Sequence, residues 1–199
     1  MEKIFSNKKL AYVLIGILYA LQLTQSIANW CGGGFNGGSL VLCILLFGLL
    51  ALIGVGIAKE NKLLTIVSGV SVFSVLIYTL ISSYTGIFHS WIDGKYSVGV
   101  LMVSVFGCIG ALLLIGSLIL VILRACKIRK NLTTINSVFS LIAVLMFLLV
   151  IITSFATGRA SDPAFSASLK LYYLTHDFFV MIFALLIPCV WHQVEAIKG

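Results

Sequence analysis

Charged side chains in this sequence are confined to the gaps between long apolar blocks. Six such blocks recur, each of about 20 residues or more. A helix rising about 1.5 Å per residue needs that length to cross the roughly 30 Å of hydrocarbon in a bilayer. Lipid offers no partner to a free N–H or C=O, so a segment lying in it must satisfy its own backbone as a helix. The spans read from the sequence are 10–29, 39–58, 63–89, 97–123, 135–157 and 171–192. They use most of the 199 residues and leave no length for a separate soluble domain, so the chain reads as a single polytopic transmembrane domain. The predicted fold is all-α, an integral membrane six-helix bundle. Only Pro163, between spans, and Pro188, toward the end of the last, interrupt the run of residues that keep a helix whole.

The net charge of +7 does not imply a nucleic-acid partner, because its placement has another cause. Lys3, Lys8 and Lys9 precede the first span, Lys59 and Lys62 fill the second loop, and Arg124, Lys127, Arg129 and Lys130 crowd the fourth. Lys198 lies in the tail, while the alternate loops hold Lys95, Arg159 and Lys170 in the company of Asp93 and Asp162. This alternation is the positive-inside pattern, which places both termini in the cytoplasm and suits a plasma membrane protein. The basic Met1–Lys9, the apolar Leu10–Leu23 and Ser26-Ile27-Ala28 also have the layout of a secretory leader. The expectation is nevertheless a retained first helix. Trp30, Trp91 and Trp191 stand at span ends, where indoles anchor at the headgroups. The glycine-rich stretch Trp30–Gly38 lacks the lysine of a phosphate-binding loop and reads as a flexible connector.

Five cysteines without a CxxC pair predict neither a disulfide framework nor a zinc site. Cys43, Cys108 and Cys189 read as small packing residues within spans, and Cys126 lies among the cations of the fourth loop. Three small-xxx-small pairs, Gly16/Ala20, Gly54/Ala58 and Gly107/Ala111, predict close helix packing.

Polar residues inside the spans carry what functional signal there is. In the third, Ser68, Ser71, Ser74, Tyr78, Ser82, Thr85 and His89 follow at intervals of three or four and so share one helix face. That face is expected to look into the bundle, since hydroxyls gain nothing from lipid. In the first span Gln22 and Gln25 lie near the outer end, and a buried amide without a partner costs on the order of several kcal/mol. The sixth carries His176 and Asp177, with Tyr173 one helical turn before the carboxylate. Ionisable groups at depth are expensive and are functional candidates by default. Counting helical rise from the outer ends, all of these groups fall within roughly 10 Å of one interface. The cytoplasmic halves of the spans read as nearly pure hydrocarbon apart from small residues. An outward-opening polar pocket, closed below, follows.

Such a pocket predicts a small-molecule binding or transport subunit whose ligand has several hydrogen-bonding groups or is a cation drawn to Asp177. Length, span count and inside termini would suit the substrate-capture component of a multi-part importer. The alternative is a non-catalytic accessory, immunity or assembly protein whose polar stripe contacts other helices or a membrane partner subunit. His89 and His176 are the one pair suited to a haem, but two histidines without metal-ligand spacing assign no cofactor. No nucleophile–base signature supports an enzyme.

Overall fold

The computed structural model describes residues 2–34, 36–92, 98–125, 132–157 and 166–197. These form α1 (Glu2–Phe5), α2 (Lys8–Gly33), α3 (Gly37–Ala58), α4 (Lys62–Ile92), α5 (Val98–Ala125), α6 (Leu132–Thr157) and α7 (Ala167–Ala196). The six helices α2–α7 are each long and apolar enough to cross a membrane, as in an integral membrane protein. Five of them cover their predicted apolar blocks, and α5 covers 98–123 of the fourth, residue 97 lying outside the described residues. Helix α2 continues beyond Asn29 to Gly33, so the glycine-rich stretch is mostly helical rather than a loop, and Trp30 Nε1 donates to Ser39 Oγ across the turn at 2.8 Å. Cys126, Lys127, Arg129 and Lys130, with Lys95 and Arg159, lie outside the described residues.

Helices α2–α6 pack against one another in chain order, and α7 fits between the first and last of them, α2 and α6. Helix α7 also reaches α1, α3, α4 and α5, so it touches every other element. In its apolar stretch 67% of residues are buried, against 33–44% in the other five helices. A helix wrapped in protein can carry groups that lipid would reject. Thr175, Asp177 and Gln193 are all buried on α7. Trp191 is also only 4% exposed, so it packs in the core instead of anchoring at an interface. Pro188 sits inside α7 without ending it, in a stretch enclosed by neighbouring helices. Phe183 lies edge-on to Phe73 of α4 at 5.1 Å and stacks on Phe179 at 6.3 Å, filling the centre.

Polar contacts fix the helix pairs. Tyr19 of α2 donates to the Phe47 carbonyl of α3 at 2.7 Å, its ring packed on Phe47 at 5.0 Å. At the far end of α7, Gln193 Nε2 donates to the Ser6 carbonyl at 2.7 Å and His192 stacks on Phe5, which seats α1. Between α5 and α6, Ser117 Oγ donates to Asn136 Oδ1 and lies 3.3 Å from Ser140 Oγ, all three buried. Thr65, Ser68 and Ser137 are further small polar residues buried in this half of the bundle, and Asn136 departs from the expectation of hydrocarbon and small residues. Hydroxyls survive there because helices pair them with one another or with their own carbonyls, as Ser68 does with the Leu64 carbonyl at 2.7 Å, whereas Asn136 Nδ2 is buried without a partner.

Of the small-residue pairs, Gly107/Ala111 is deeply packed, Gly54 meets Tyr12 and Ile15 of α2, and Gly16 has open space in place of a neighbour. On α5 a methyl at Gly107 would fall inside the Tyr84 ring, and one at Gly110 would lie 2.8 Å from Phe147 Cζ. The α3–α4 turn is equally tight. Asn61 N–H bonds the Gly56 carbonyl at 2.9 Å, and Glu60 N–H bonds the Ile57 carbonyl at 3.3 Å. This paired closure puts Glu60 at φ 51, where glycine is the usual residue. Asn61 Oδ1 then accepts from Leu64 N at 3.0 Å and caps α4. Lys8 reaches across from α2 to Glu60 at 2.7 Å and, by that hydrogen bond and its charge, holds the carboxyl below the usual carboxylate range. The pair therefore contributes fully above that usual range, and its contribution fades as pH falls through Glu60's lowered value.

Two predictions follow from this packing. Gly110→Ala should destabilise the bundle by about 1–3 kcal/mol through overpacking against Phe147, while Gly16→Ala should be neutral or slightly stabilising, as read by reversible unfolding in mixed micelles. Glu60→Gly should raise the melting temperature, because relief of the left-handed backbone outweighs an exposed, screened ion pair; a lower melting temperature would show that the Lys8 contact dominates the turn.

Candidate functional site

Four helices enclose a partly open cavity of about 250 Å³. It lies in the half of the bundle that holds the α2–α3 turn, because its walls come from the end of α2, the start of α3, the later part of α4 and the first half of α7. The walls differ in chemistry. Helix α2 supplies the amides of Gln22 and Gln25, and α3 the side chains of Leu42 and Leu46. Helix α4 supplies Leu76, Tyr78, Thr79, Ser82 and Ser83, and α7 supplies Tyr172, His176 and Phe179. The lining contains no lysine, arginine, aspartate or glutamate.

Several of the polar groups are already committed. Gln22 Nε2 lies 3.5 Å from Ser26 Oγ, and Thr79 Oγ1 donates to the Leu76 carbonyl at 2.8 Å. Gln25 Oε1 is buried and has no hydrogen-bond partner. An acceptor in that position carries a desolvation cost until a donor arrives, as water or as a ligand. On α7 the spacing of Tyr172, His176 and Phe179 keeps the three rings on one face, with Tyr172 and His176 6.4 Å apart between centroids and inclined at 29°.

Asp177 stands behind this wall. It lies about three turns, or roughly 15 Å of helical rise, inside α7, so it does not cap the helix; Ser166 does, accepting from Leu169 N at 3.2 Å. The residue is 1% exposed, and its Oδ1 lies 3.4 Å from His176 Nδ1. The contact joins the imidazole on the cavity wall to the carboxyl group behind it. Asp177 and Glu195, near the opposite end of α7, are the only acidic residues in α2–α7. His176 is thus the side chain through which a buried carboxyl group meets the cavity.

The structure brings together Gln22, Gln25, Tyr78, Ser82 and His176 as lining residues, with Asp177 in contact behind His176. Thr85 and His89 are exposed on α4 and do not line the cavity, and Tyr173 instead packs its ring on Tyr172 at 5.4 Å. Because His89 is not among the lining residues, the two imidazoles do not share this site. The α4 stripe also departs from expectation: Ser68 is buried, whereas Ser74, Tyr78, Ser82, Thr85 and His89 are exposed, Tyr78 at 75%. Val72, Phe73, Leu76, Ile77 and Leu80 take the inward face. Hydroxyls do not demand an interior partner when the helix supplies one; Ser71 Oγ bonds the Val67 carbonyl at 2.8 Å and Thr85 Oγ1 the Ile81 carbonyl at 2.7 Å.

Leu42, Leu46, Leu76, Thr79, Ser83, Tyr172 and Phe179 complete the lining and were not anticipated. The ring spacing from Tyr172 through His176 to Phe179 and the turn separating Thr79 from Ser83 were visible signals. The leucines had none, being indistinguishable from lipid-facing ones. Comparisons of this chain with protein-family models, with curated proteins and with solved structures returned no match.

Proposed function

We propose that this chain is a small-molecule binding or transport subunit whose cavity opens away from the cytoplasm. The observation that carries the reading is a half-open cavity of about 250 Å³ joined through His176 to a carboxylate that is 1% exposed. Burying an ionisable group costs several kcal/mol unless it is paired, and such groups mark ligand or ion pathways in membrane proteins. The unpartnered Gln25 Oε1 on the facing wall adds a second group that a ligand would satisfy. Both termini are cytoplasmic in this reading, from the lysines and arginines of alternate loops, and the plasma membrane is the compartment that fits. The phenylalanines at the centre of the bundle close the floor, so the site captures its ligand from outside. Release inward would need a second conformation or a partner.

One observation favours the accessory reading. The exposed Ser74, Thr85 and His89, none of which lines the cavity, give α4 a polar outward face that a membrane partner subunit would cover. A capture subunit docking through that face onto a transport partner joins the two readings, and a purely structural protein separates them.

Two measurements test this. A panel of amines, amides, sugars and carboxylates, screened against the full chain in nanodiscs, should contain compounds that raise the melting temperature, and Ser82→Trp, which fills the cavity from an exposed position, should abolish the rise. A co-purifying membrane partner with no response to any compound would establish the structural role instead. In a Cys126→Ser background, the exposed Cys31 at the α2–α3 end should react with an impermeant maleimide added outside intact cells; labelling only after permeabilisation would invert the orientation.

A further inference from the structure

We propose that the cavity opens sideways between α3 and α4 and takes an amphiphile from the bilayer, one whose head carries hydrogen-bond donors as well as acceptors. This inference rests on the binding reading above and names the class of the ligand and its route. Three observations converge on it: the exposure of the α4 wall, the depth at which that wall is exposed, and the buried acceptor opposite.

The α4 wall runs from the core to the outer surface of the bundle. Leu76 belongs to the inward face, and Thr79, Ser82 and Tyr78 follow round the helix at about 60°, 120° and 160° from it. Exposure rises in the same order, from 6% at Leu76 through a half-buried Thr79 to an exposed Ser82 and 75% at Tyr78. All four line the cavity, so the space they bound reaches the side of the bundle. This flank is the one turned to α3, since Thr65 on the same side packs against Gly56 near the tight turn. Away from that turn Leu42 and Leu46 of α3 also face the cavity, which at this level reaches between the two helices.

Depth decides what meets the opening. The apolar stretch of α4 is Lys62–Gly86, and Tyr78 lies about 12 Å of helical rise inside its Gly86 end. Leu46 stands at a similar level, about 14 Å into α3 from Gly37. Each leaflet holds roughly 15 Å of hydrocarbon, so a side opening at that level meets acyl chains and not water. A ligand that enters there keeps its chain among the lipids and turns its polar head inward. The head must also donate. Gln25 Oε1 is buried without a partner on α2, about 10 Å inside the Gly32 end of that apolar stretch, and such an acceptor is costly until a donor reaches it. The hydroxyls of Ser82 and Ser83 and the amide of Gln22 line the same space and can donate in return. A hydroxyl-bearing head answers both demands. Phosphatidylcholine, with ester and phosphate acceptors and no N–H or O–H, answers only one.

Photocrosslinking in the full chain tests this, with p-benzoylphenylalanine replacing either Leu46 on the cavity wall or Leu112, which is 65% exposed on α5. The nanodiscs are phosphatidylcholine with a minor share of monooleoylglycerol, and mass spectrometry identifies the lipid in each adduct. At Leu112 the adducts should mirror the composition of the bilayer. At Leu46 monooleoylglycerol should be enriched about fivefold over that composition, as one additional net hydrogen bond would give. Gln25→Leu should remove the enrichment, and Ser82→Trp should remove the adduct. Should the Leu46 variant fail to fold, Leu42 on the same wall serves in its place. No lipid adduct at the cavity position while Leu112 labels, an adduct of unenriched bilayer composition, or enrichment that survives Gln25→Leu would overturn the proposal. In any of these cases a water-soluble compound that still raises the melting temperature leaves the binding reading standing; with none, both fall.

Discussion

Hydrocarbon gives no hydrogen-bond partner to a polar group, and this bundle is organised around where such groups can be kept. The clearest case is Asp177, roughly three turns inside α7. A carboxylate at that depth is tolerable only if protein surrounds it. Helix α7 accordingly takes the central place, in contact with every other element and with two-thirds of its apolar stretch buried. The more uniformly apolar helices stand around it and turn their leucines, isoleucines and valines outward. The same constraint sets the ends of α7, where Ser166 caps the first turn and Gln193 reaches the Ser6 carbonyl.

Close packing and the cavity are two outcomes of one geometry. On the α5–α6 side, Gly107, Gly110 and Gly116 let rings from α4 and α6 settle against the α5 backbone. On the α2–α3–α4 side the neighbours of α7 present amides, leucines and hydroxyls that do not interdigitate as closely. Space remains over His176, which links the cavity to the buried carboxyl group of Asp177. Tight packing holds the frame, and the loosely packed quadrant leaves the cavity.

Much of the site was legible because helical spacing is strict. Gln22 and Gln25, Tyr78 and Ser82, and His176 with Asp177 were each set apart by polarity within an apolar block, and the alternation of chain direction put them at one level. What periodicity misjudged was direction. A stripe on α4 was expected to face inward, yet the inward face belongs to Phe73, Leu76 and Leu80, because volume in the core is worth more than serine hydroxyls that their own helix already satisfies. Thr85 and His89 were therefore read into a cavity they do not line. Tyr172 was overlooked in favour of Tyr173, one position away, because adjacent residues on a helix point about 100° apart and only packing shows which one meets the neighbours.

The sequence by itself determined the number of long apolar helices and the core of each, since block length against bilayer thickness and the demands of an unsolvated backbone leave one secondary structure. It also marked the residues whose polarity had to be accommodated. Tertiary structure decided which helix became the centre, which polar residues share a wall and which face outward. Those outcomes depend on how rings, glycines and leucines of different helices fit one another, and shape complementarity between segments distant in the chain has no signature within any one of them.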